Sequence, residues 1–286
     1  MKLQDFMIVL DGSARTDAAL GLAIAVARRH DAHLTGFCPL EALYPIHLGL
    51  ALSFYPELTS LQQAADRLAA QALEKAQRIE VDFREQLRRN DVRGDWQVAT
   101  GPVGAAVAHR AHAADLLVLG QDNPDNPPPP AARSLIEDAL MNAGCPLLLV
   151  PYVGRFDAIG NNVLIGWNRT GEAARAAHDA LLLIEPTAKV TVLTVERGRT
   201  ATSSDQIPGA DVAGHLVRHG PKASAARTVA DATISDADAL LAYVFDEGVD
   251  LLVVGGYGHS RAREMVLGGA TRDLLRYMTV PVLMSH

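Results

Sequence analysis

The sequence has few of the residues that mark several protein classes. Of 286 residues, two are cysteines, Cys38 and Cys145, and aromatic residues make up 5%. The two cysteines have no CxxC spacing, so we expect buried structural thiols and no disulfide. No apolar run approaches the roughly 18 residues of a membrane-spanning helix. The first residues lack a secretory-signal pattern, and we therefore expect a cytoplasmic protein.

Positive charge is also scarce. The formal net charge is −7, and the four lysines are Lys2, Lys75, Lys189 and Lys222. This balance argues against attraction to nucleic acid or to an anionic membrane. No lysine lies beside a glycine-rich loop, which excludes the GxxxxGK[ST] phosphate loop.

The chain contains an internal repeat. An aspartate opens the apolar run at Asp115 and again at Asp250, and a proline precedes the final apolar run at Pro146 and at Pro281. The separation is 146 − 115 = 31 positions in the first copy and 281 − 250 = 31 in the second. We therefore predict two tandem units, with domains at 1–151 and 152–286 and a linker over 151–162.

Each unit alternates short apolar runs with amphipathic helical patterns. Such alternation predicts crossover connections between parallel strands, which are right-handed in nearly all sheets. The predicted fold class is α/β, with two tandem doubly wound sheets of five parallel strands each.

One stretch of the first unit has no counterpart in the second. Residues 60–89 carry apolar side chains three or four positions apart, which predicts a single long amphipathic helix. Before it, residues 43–55 are apolar and aromatic and have no formal charge. A loop folded over the helix and a lid or subunit contact both remain open for that segment.

The most informative motif lies near the C-terminus. Gly255, Gly256 and Gly258 follow the apolar run 251–254, and Gly268 and Gly269 precede a helical pattern. Parallel α/β proteins hold phosphates at such strand-to-helix corners, because glycine lets the backbone approach an anion and the helix amides point at it. A tight turn without a ligand is the alternative explanation of these glycines.

These residues resemble the universal stress protein family in its tandem two-domain form. Nucleotide-binding members carry GxxG, nine residues, and then Gly followed by Ser or Thr. Gly255, Gly258 and Gly268 fit this pattern, whereas Gly269 stands at the Ser or Thr position. The resemblance implies a Rossmann-like fold of the adenine nucleotide alpha hydrolase type. It also implies an ATP site between the first-strand aspartate and the glycine loop.

The two units divide the implied site unequally. The first keeps Asp11 but has Asp122 and the prolines 127–130 where the phosphate loop is expected, and prolines offer no amide hydrogen. The second keeps the glycine loop but has Asn168 at the aspartate position. We therefore expect nucleotide binding in the second unit alone. ATP is the expected ligand, ADP and AMP are alternatives, and Mg²⁺ is a candidate companion.

The expected site residues follow from the resemblance, position by position. They are Trp167, Asn168, Val195, Gly255, Gly256, Gly258, His259, Ser260, Arg261, Gly268, Gly269, Ala270 and Thr271. Arg261 and Arg263 either balance phosphate charge or are ordinary solvated side chains. Thr271 either replaces the missing hydroxyl or is a first-turn helix residue.

Two histidine pairs and two function classes remain to be considered. The pairs His109/His112 and His215/His219 have helical spacing, but no third ligand is evident, so no metal site is predicted. No catalytic residue is predicted, and any ATP hydrolysis is expected to be slow. The leading expectation is a stress-response protein that signals through bound nucleotide. The alternative is a partner-interaction module without nucleotide, built on an internal pseudo-dimer, and further self-association to a homodimer stays open.

Overall fold

The computed structural model describes residues 2–41, 59–122, 135–197, 207–231, 233–256 and 269–286. Within them the backbone forms ten strands. These are β1 Asp5–Val9, β2 His33–Glu41, β3 Gly94–Gly101, β4 Leu117–Gly120, β5 Leu147–Val150, β6 Asn162–Gly166, β7 Lys189–Arg197, β8 Lys222–Ala230, β9 Leu251–Gly255 and β10 Val282–Ser285.

Helices connect the strands. They are α1 Ala14–His30, α2 Thr59–Asn90, α3 Val103–Ala111, α4 Leu135–Asn142, α5 Gly171–Asp179, α6 Ala210–Val217, α7 Asp236–Glu247 and α8 Gly269–Tyr277. A 3₁₀ turn over Ala180–Leu182 extends α5. No helix in the described ranges is both long enough and apolar enough to cross a membrane.

The strands form one ten-stranded sheet in the order β3-β2-β1-β4-β5-β10-β9-β6-β7-β8. Within β1–β5 and within β6–β10 all strand pairings in the described residues are parallel, and each half has its own first strand in the middle. The α/β class with five parallel strands per half is thus confirmed.

The two halves meet at one antiparallel pair. Val282 of β10 pairs with Leu149 of β5, and Met284 pairs with Leu147. All eight residues of these two strands are buried. The sequence predicted two sheets, and the structure joins them through their last strands because both are short, apolar and covered on both faces.

Helices cover both faces of the sheet, and each apolar core runs through both halves. On one face Leu148 and Leu283 belong to the same buried cluster, and on the other face Leu149 and Val282 do. Continuous burial across the junction contributes to holding the halves together, since each buried aliphatic side chain contributes about 1.5–3 kcal/mol.

The predicted long helix is confirmed as α2, which has 32 residues. Its C-terminal part packs on the sheet through the buried residues Ala76, Phe83 and Leu87. Toward its N-terminus, Leu68 is 51% exposed. Among the described residues, the contacts that cover the apolar stripe involve its C-terminal part, and the segment 43–55 lies outside the described residues.

Two polar side chains bridge the halves. Arg29 on α1 donates to the carbonyl oxygens of Ile159 (2.6 Å) and Leu183 (2.7 Å) and pairs with Glu185 at 3.0 Å. Gln121, which is 4% exposed, donates to the carbonyl of Leu275 at 2.7 Å. Both cysteines are free thiols, as expected; Cys38 is buried, and Cys145 is partly buried with its pKa raised to about 12 by burial.

Candidate functional site

The corner of the second half is built by the chain that leaves β6. The side-chain oxygen of Asn168 accepts hydrogen bonds from the backbone nitrogen of Thr170 (3.2 Å) and from its hydroxyl (2.8 Å). Thr170 in turn caps α5, because its hydroxyl oxygen accepts from the backbone nitrogen of Ala173 at 3.3 Å. The Asn168 oxygen is thereby occupied by protein, and its amide nitrogen has no hydrogen-bond partner within the described ranges.

Gly255 ends β9 directly against α5. A β-carbon at this position would lie 2.5 Å from the backbone nitrogen of Ala173 and 2.6 Å from the carbonyl carbon of Glu172. Only glycine permits this contact between strand and helix. The sequence suggested a phosphate role for Gly255, and the structure supplies a packing reason for it.

Gly256 lies at the junction of the two halves. A β-carbon there would lie 2.6 Å from a Cδ atom of Leu140 on α4 in the first half. Its backbone nitrogen donates to the carbonyl of Ser285 at 2.8 Å. This amide is therefore already paired within the protein, and the start of the glycine loop rests against a first-half helix.

Trp167 and Val195 lie beside Asn168. The backbone nitrogen of Trp167 donates to the carbonyl of Leu193 at 2.8 Å, and its half-buried indole lies against Gly209. Gly166, the last residue of β6, pairs with Leu193 of β7. Asn168 and Val195 each lie two residues farther along the chain from this pair. The register brings these three predicted residues to the same edge of the sheet.

The rest of the predicted site divides into two groups. Gly258, His259, Ser260, Arg261 and Gly268 lie outside the described residues, as does Arg263. Gly269, Ala270 and Thr271 form the first turn of α8. Gly269 is exposed with open space around it, and Thr271 is partly buried. The predicted order of strand, glycine-rich segment and helix is present.

The corresponding corner of the first half is filled by its own side chains. Asp11 accepts from the hydroxyl of Ser13 at 2.5 Å and from the guanidinium of Arg15 at 2.5 and 3.1 Å. Arg15 also donates to Asp122 at 2.8 Å. Arg15 thus links Asp11, in the turn after β1, to Asp122, in the segment after β4. Sequence reasoning missed Arg15, although its position four residues after Asp11 was a usable signal.

The pKa shifts of Asp11 and Arg15 agree with these contacts. Burial alone raises the pKa of Asp11, but the hydrogen bonds from Ser13 and Arg15 and the charge of Arg15 outweigh burial, so the pKa is lowered. The pKa of Arg15 is raised because Asp11 and Asp122 together outweigh its burial. The ionised triad is stable as it stands, and the Asp11 carboxylate is committed to a protein cation.

Helix α2 also lies over the first corner. A β-carbon at Gly12 would lie 2.8 Å from the Ile79 Cδ1 atom and 3.1 Å from the Lys75 Cε atom. In the described part of the second half, the eight-residue α6 stands between β7 and β8, where the first half has the 32-residue α2. Among the described residues, the second corner has no counterpart of the Arg15 contacts or of α2.

The structure adds His178 to the pair His215 and His219 that the sequence indicated. His178 on α5 contacts His215 on α6, with ring centroids 5.0 Å apart, and His215 contacts His219 at 4.8 Å. Nevertheless, across the described ranges no three His, Cys, Asp or Glu side chains are placed to hold a metal ion. The expected pair His109 and His112 has centroids 6.1 Å apart.

These features define a doubly wound α/β protein whose first strand-to-helix corner is filled by its own side chains. Residues 161–286 match the family model described as "Universal stress protein family". Residues 161–286 are therefore the part of this chain that is similar to the universal stress protein family, and they include the second corner.

Individual relatives agree with this assignment. Universal stress protein Slr1230 of Synechocystis sp. is 44% identical over 46 residues, which is 16% of this chain and 16% of that protein. A universal stress protein structure from Archaeoglobus fulgidus DSM 4304 covers 99% of this chain and 97% of its own, with 13% identity and a TM-score of 0.75. A protein of unknown function from Pseudomonas aeruginosa PAO1 covers 99% and 92%, with 14% identity and a TM-score of 0.61. At such identities the two structures are similar to this chain in fold alone.

Proposed function

We propose that the second half binds one adenine nucleotide per chain at the corner between β6, β9 and α8. ATP is the proposed ligand, with ADP and AMP as alternatives. The binding residues are those predicted at 167–168, 195, 255–256, 258–261 and 268–271. The two units, 1–151 and 152–286, then have different roles, because the first does not bind nucleotide.

The observation that carries this proposal is the contrast between the two corners. Arg15, Ile79 and Lys75 occupy the surroundings of Asp11 in the first half. In the second half Asn168 makes its hydrogen bonds only to the adjacent turn, and its amide nitrogen is a donor without a partner among the described residues. A ligand acceptor would satisfy that donor, so the second corner is the one suited to an external molecule.

Magnesium fits as a companion of the nucleotide. Glu172 lies in the first turn of α5 beside Gly255, and among the described residues its carboxylate has no ion-pair partner. Proteins bind nucleotide-borne Mg²⁺ through one or two carboxylates together with phosphate oxygens, so no cage of three protein ligands is required. The Glu172 carboxylate would hold the ion, which would neutralise phosphate charge.

A regulatory role follows from the same arrangement. Gly256, at the start of the glycine loop, rests on Leu140 of the first half, so a bound nucleotide would be in contact with the junction. We infer that the protein reports nucleotide occupancy to partners in the cytoplasm as part of a stress response. Hydrolysis is slow at most, since the proposal assigns no general base.

Retained nucleotide tests the proposal directly. Protein purified from cells is denatured, and the released small molecules are identified by chromatography. Gly268→Val should abolish retention, because its side chain would lie where the phosphate is proposed to bind. Gly214→Val on α6, where a β-carbon has open space, is the matched control and should retain nucleotide. Retention by the Gly268 variant, or two nucleotides per chain, would contradict the proposed site.

An alternative class is a partner-interaction module without nucleotide, built on an internal pseudo-dimer of the two units. One observation favours it: Leu68, Leu73 and Val81 on α2 are 51%, 48% and 67% exposed. If this surface mediates self-association, Leu68→Asp should lower the oligomer mass measured by light scattering. An unchanged mass would remove self-association through Leu68 as a function of α2.

A further inference from the structure

A strained residue stands at the second corner. Arg169 has φ of 62°, in the left-handed region where side chains other than glycine are disfavoured. The equivalent position of the first half, immediately after Asp11, is Gly12 with φ of 68°. The backbone conformation is thus shared by the two halves, and only the second half places a side chain there.

Arg169 has no partner within the described ranges. It is exposed, and in those ranges its guanidinium makes neither a hydrogen bond nor an ion pair. Packing and pairing with the described residues therefore do not account for an arginine at a position that favours glycine. Asp91 shares this conformation at the end of α2, whereas Arg169 lies at the proposed binding corner, so we take the Arg169 outlier as a pointer to an external ligand.

Comparison with the first corner indicates the charge of that ligand. There Lys75 reaches over Gly12 from α2, and the carboxylate of Asp11 is close by. At the second corner Arg169 supplies the cation, but the adjacent residue is the neutral Asn168. Arg169 therefore carries a positive charge that the adjacent Asn168 does not balance.

We propose that Arg169 binds a phosphate group of the nucleotide. This inference rests on the proposed function of the second half. The planar guanidinium presents paired N–H donors that match phosphate oxygens. Arg169 also directly follows Asn168 and precedes the N-terminus of α5 at Gly171, so it lies at the mouth of the proposed site.

Arg169→Gly gives a test in which two measurements move in opposite directions. The variant removes backbone strain, so its melting temperature should rise by about 2 °C or more. It also removes a charge-assisted contact, so ATP should bind about ten-fold more weakly. Adenosine, which has no phosphate, should bind equally to both proteins. A residue with only a structural role would not produce this combination.

Two further variants complete the experiment. Arg169→Lys keeps a cation on the strained backbone, and its affinity for ATP should lie between those of the other two proteins. Asp91→Gly relieves a similar φ of 53° after α2 and should raise stability without changing ATP affinity. Equal ATP affinity of Arg169→Gly and the unmodified chain would overturn the assignment of Arg169 alone. Absence of ATP binding by the unmodified chain would overturn the proposed function as well.

Discussion

Asp115 and Asp250 make equivalent contacts in the two halves. The Asp115 carboxylate accepts from the backbone nitrogens of Gln4 (3.0 Å) and Asp5 (3.1 Å), at the start of β1. The Asp250 carboxylate accepts from Gly160 (2.8 Å), Asn161 (2.9 Å) and Asn162 (3.2 Å), at the start of β6. Each aspartate therefore ties the fourth strand of its half to the first.

Replacing these two carboxylates should give unequal losses of stability. Asp250→Ala leaves three backbone donors without their acceptor, and we expect unfolding free energy to fall by about 2 kcal/mol. Asp115→Ala removes two exposed bonds and should cost about 1 kcal/mol. Urea unfolding of both variants measures the difference. A larger loss for Asp115→Ala would show that the hydrogen-bond count does not govern these sites.

The sequence predicted the repeat because its signals are local. An aspartate before an apolar run and a proline before the last strand recur at the same separation, and the structure gives the two aspartates a physical reason within their own halves. The junction was not predicted, because Leu147–Val150 and Val282–Ser285 are apolar runs whose pairing partner is not encoded in either run. Gly256 was likewise predicted from the glycine motif, but its contact with Leu140 arises only because the two halves meet at the junction.

The two corners also show that contacts between residues far apart in the sequence could not be predicted from it. From the sequence we predicted that the first half lacks a nucleotide site. The prolines that support this prediction lie outside the described residues. The structure adds an independent reason, the contact of Arg15 with Asp11 and Asp122. The partner Asp122 is 107 positions away, so this contact required the folded arrangement. Aligning the two halves would have shown Arg169 opposite Gly12.

Gln121 should be important for the stability of the junction. Its amide nitrogen donates to the carbonyls of Leu275 (2.7 Å) and Arg276 (3.1 Å), and its oxygen accepts from the backbone nitrogen of Tyr152 at 2.8 Å. Gln121→Ala leaves these buried groups unpaired, so we expect a loss of about 2–3 kcal/mol in unfolding free energy. Hydrogen exchange at the Tyr152 amide should accelerate.

The matched control for Gln121 is Gln4, whose side chain is exposed. Gln4→Ala should change the unfolding free energy by less than about 0.5 kcal/mol. Comparable effects of the two substitutions would mean that the buried amide bridge does not stabilise the junction.

Arg15→Ala should destabilise the first half in a pH-dependent way. The pKa of Asp11 is below its ordinary value of 3.8, so ionised Asp11 stabilises the fold above about that pH. This stabilisation is lost as pH falls through the folded-state pKa. Because the pair is partly exposed, we expect the substitution to cost about 1 kcal/mol at pH 7. The cost should shrink toward pH 3.

An exposed ion pair on α2 provides the comparison for Arg15. Arg84 pairs with Glu80 one helical turn away at 2.7 Å. Arg84→Ala should cost no more than about 0.5 kcal/mol at pH 7. Urea unfolding at several pH values distinguishes the two, and a cost for Arg15→Ala that stays constant down to pH 3 would argue against the role of ionised Asp11.

His215 should make stability depend on pH near neutrality. Its pKa is lowered, first by partial burial and then by His178, His219 and Arg218, and its buried Nε2 atom has no hydrogen-bond partner among the residues that the structure describes. The folded state therefore resists protonation more than the unfolded state does. As pH falls below the ordinary histidine pKa of 6.5, the fold should lose stability until the folded-state pKa is passed.

His215→Phe should flatten the decline in melting temperature between about pH 7 and pH 5. His109→Phe, on an exposed face of α3, is the control and should leave the decline unchanged. If both variants decline as steeply as the unmodified protein, the pH dependence originates elsewhere than in the His178, His215 and His219 group.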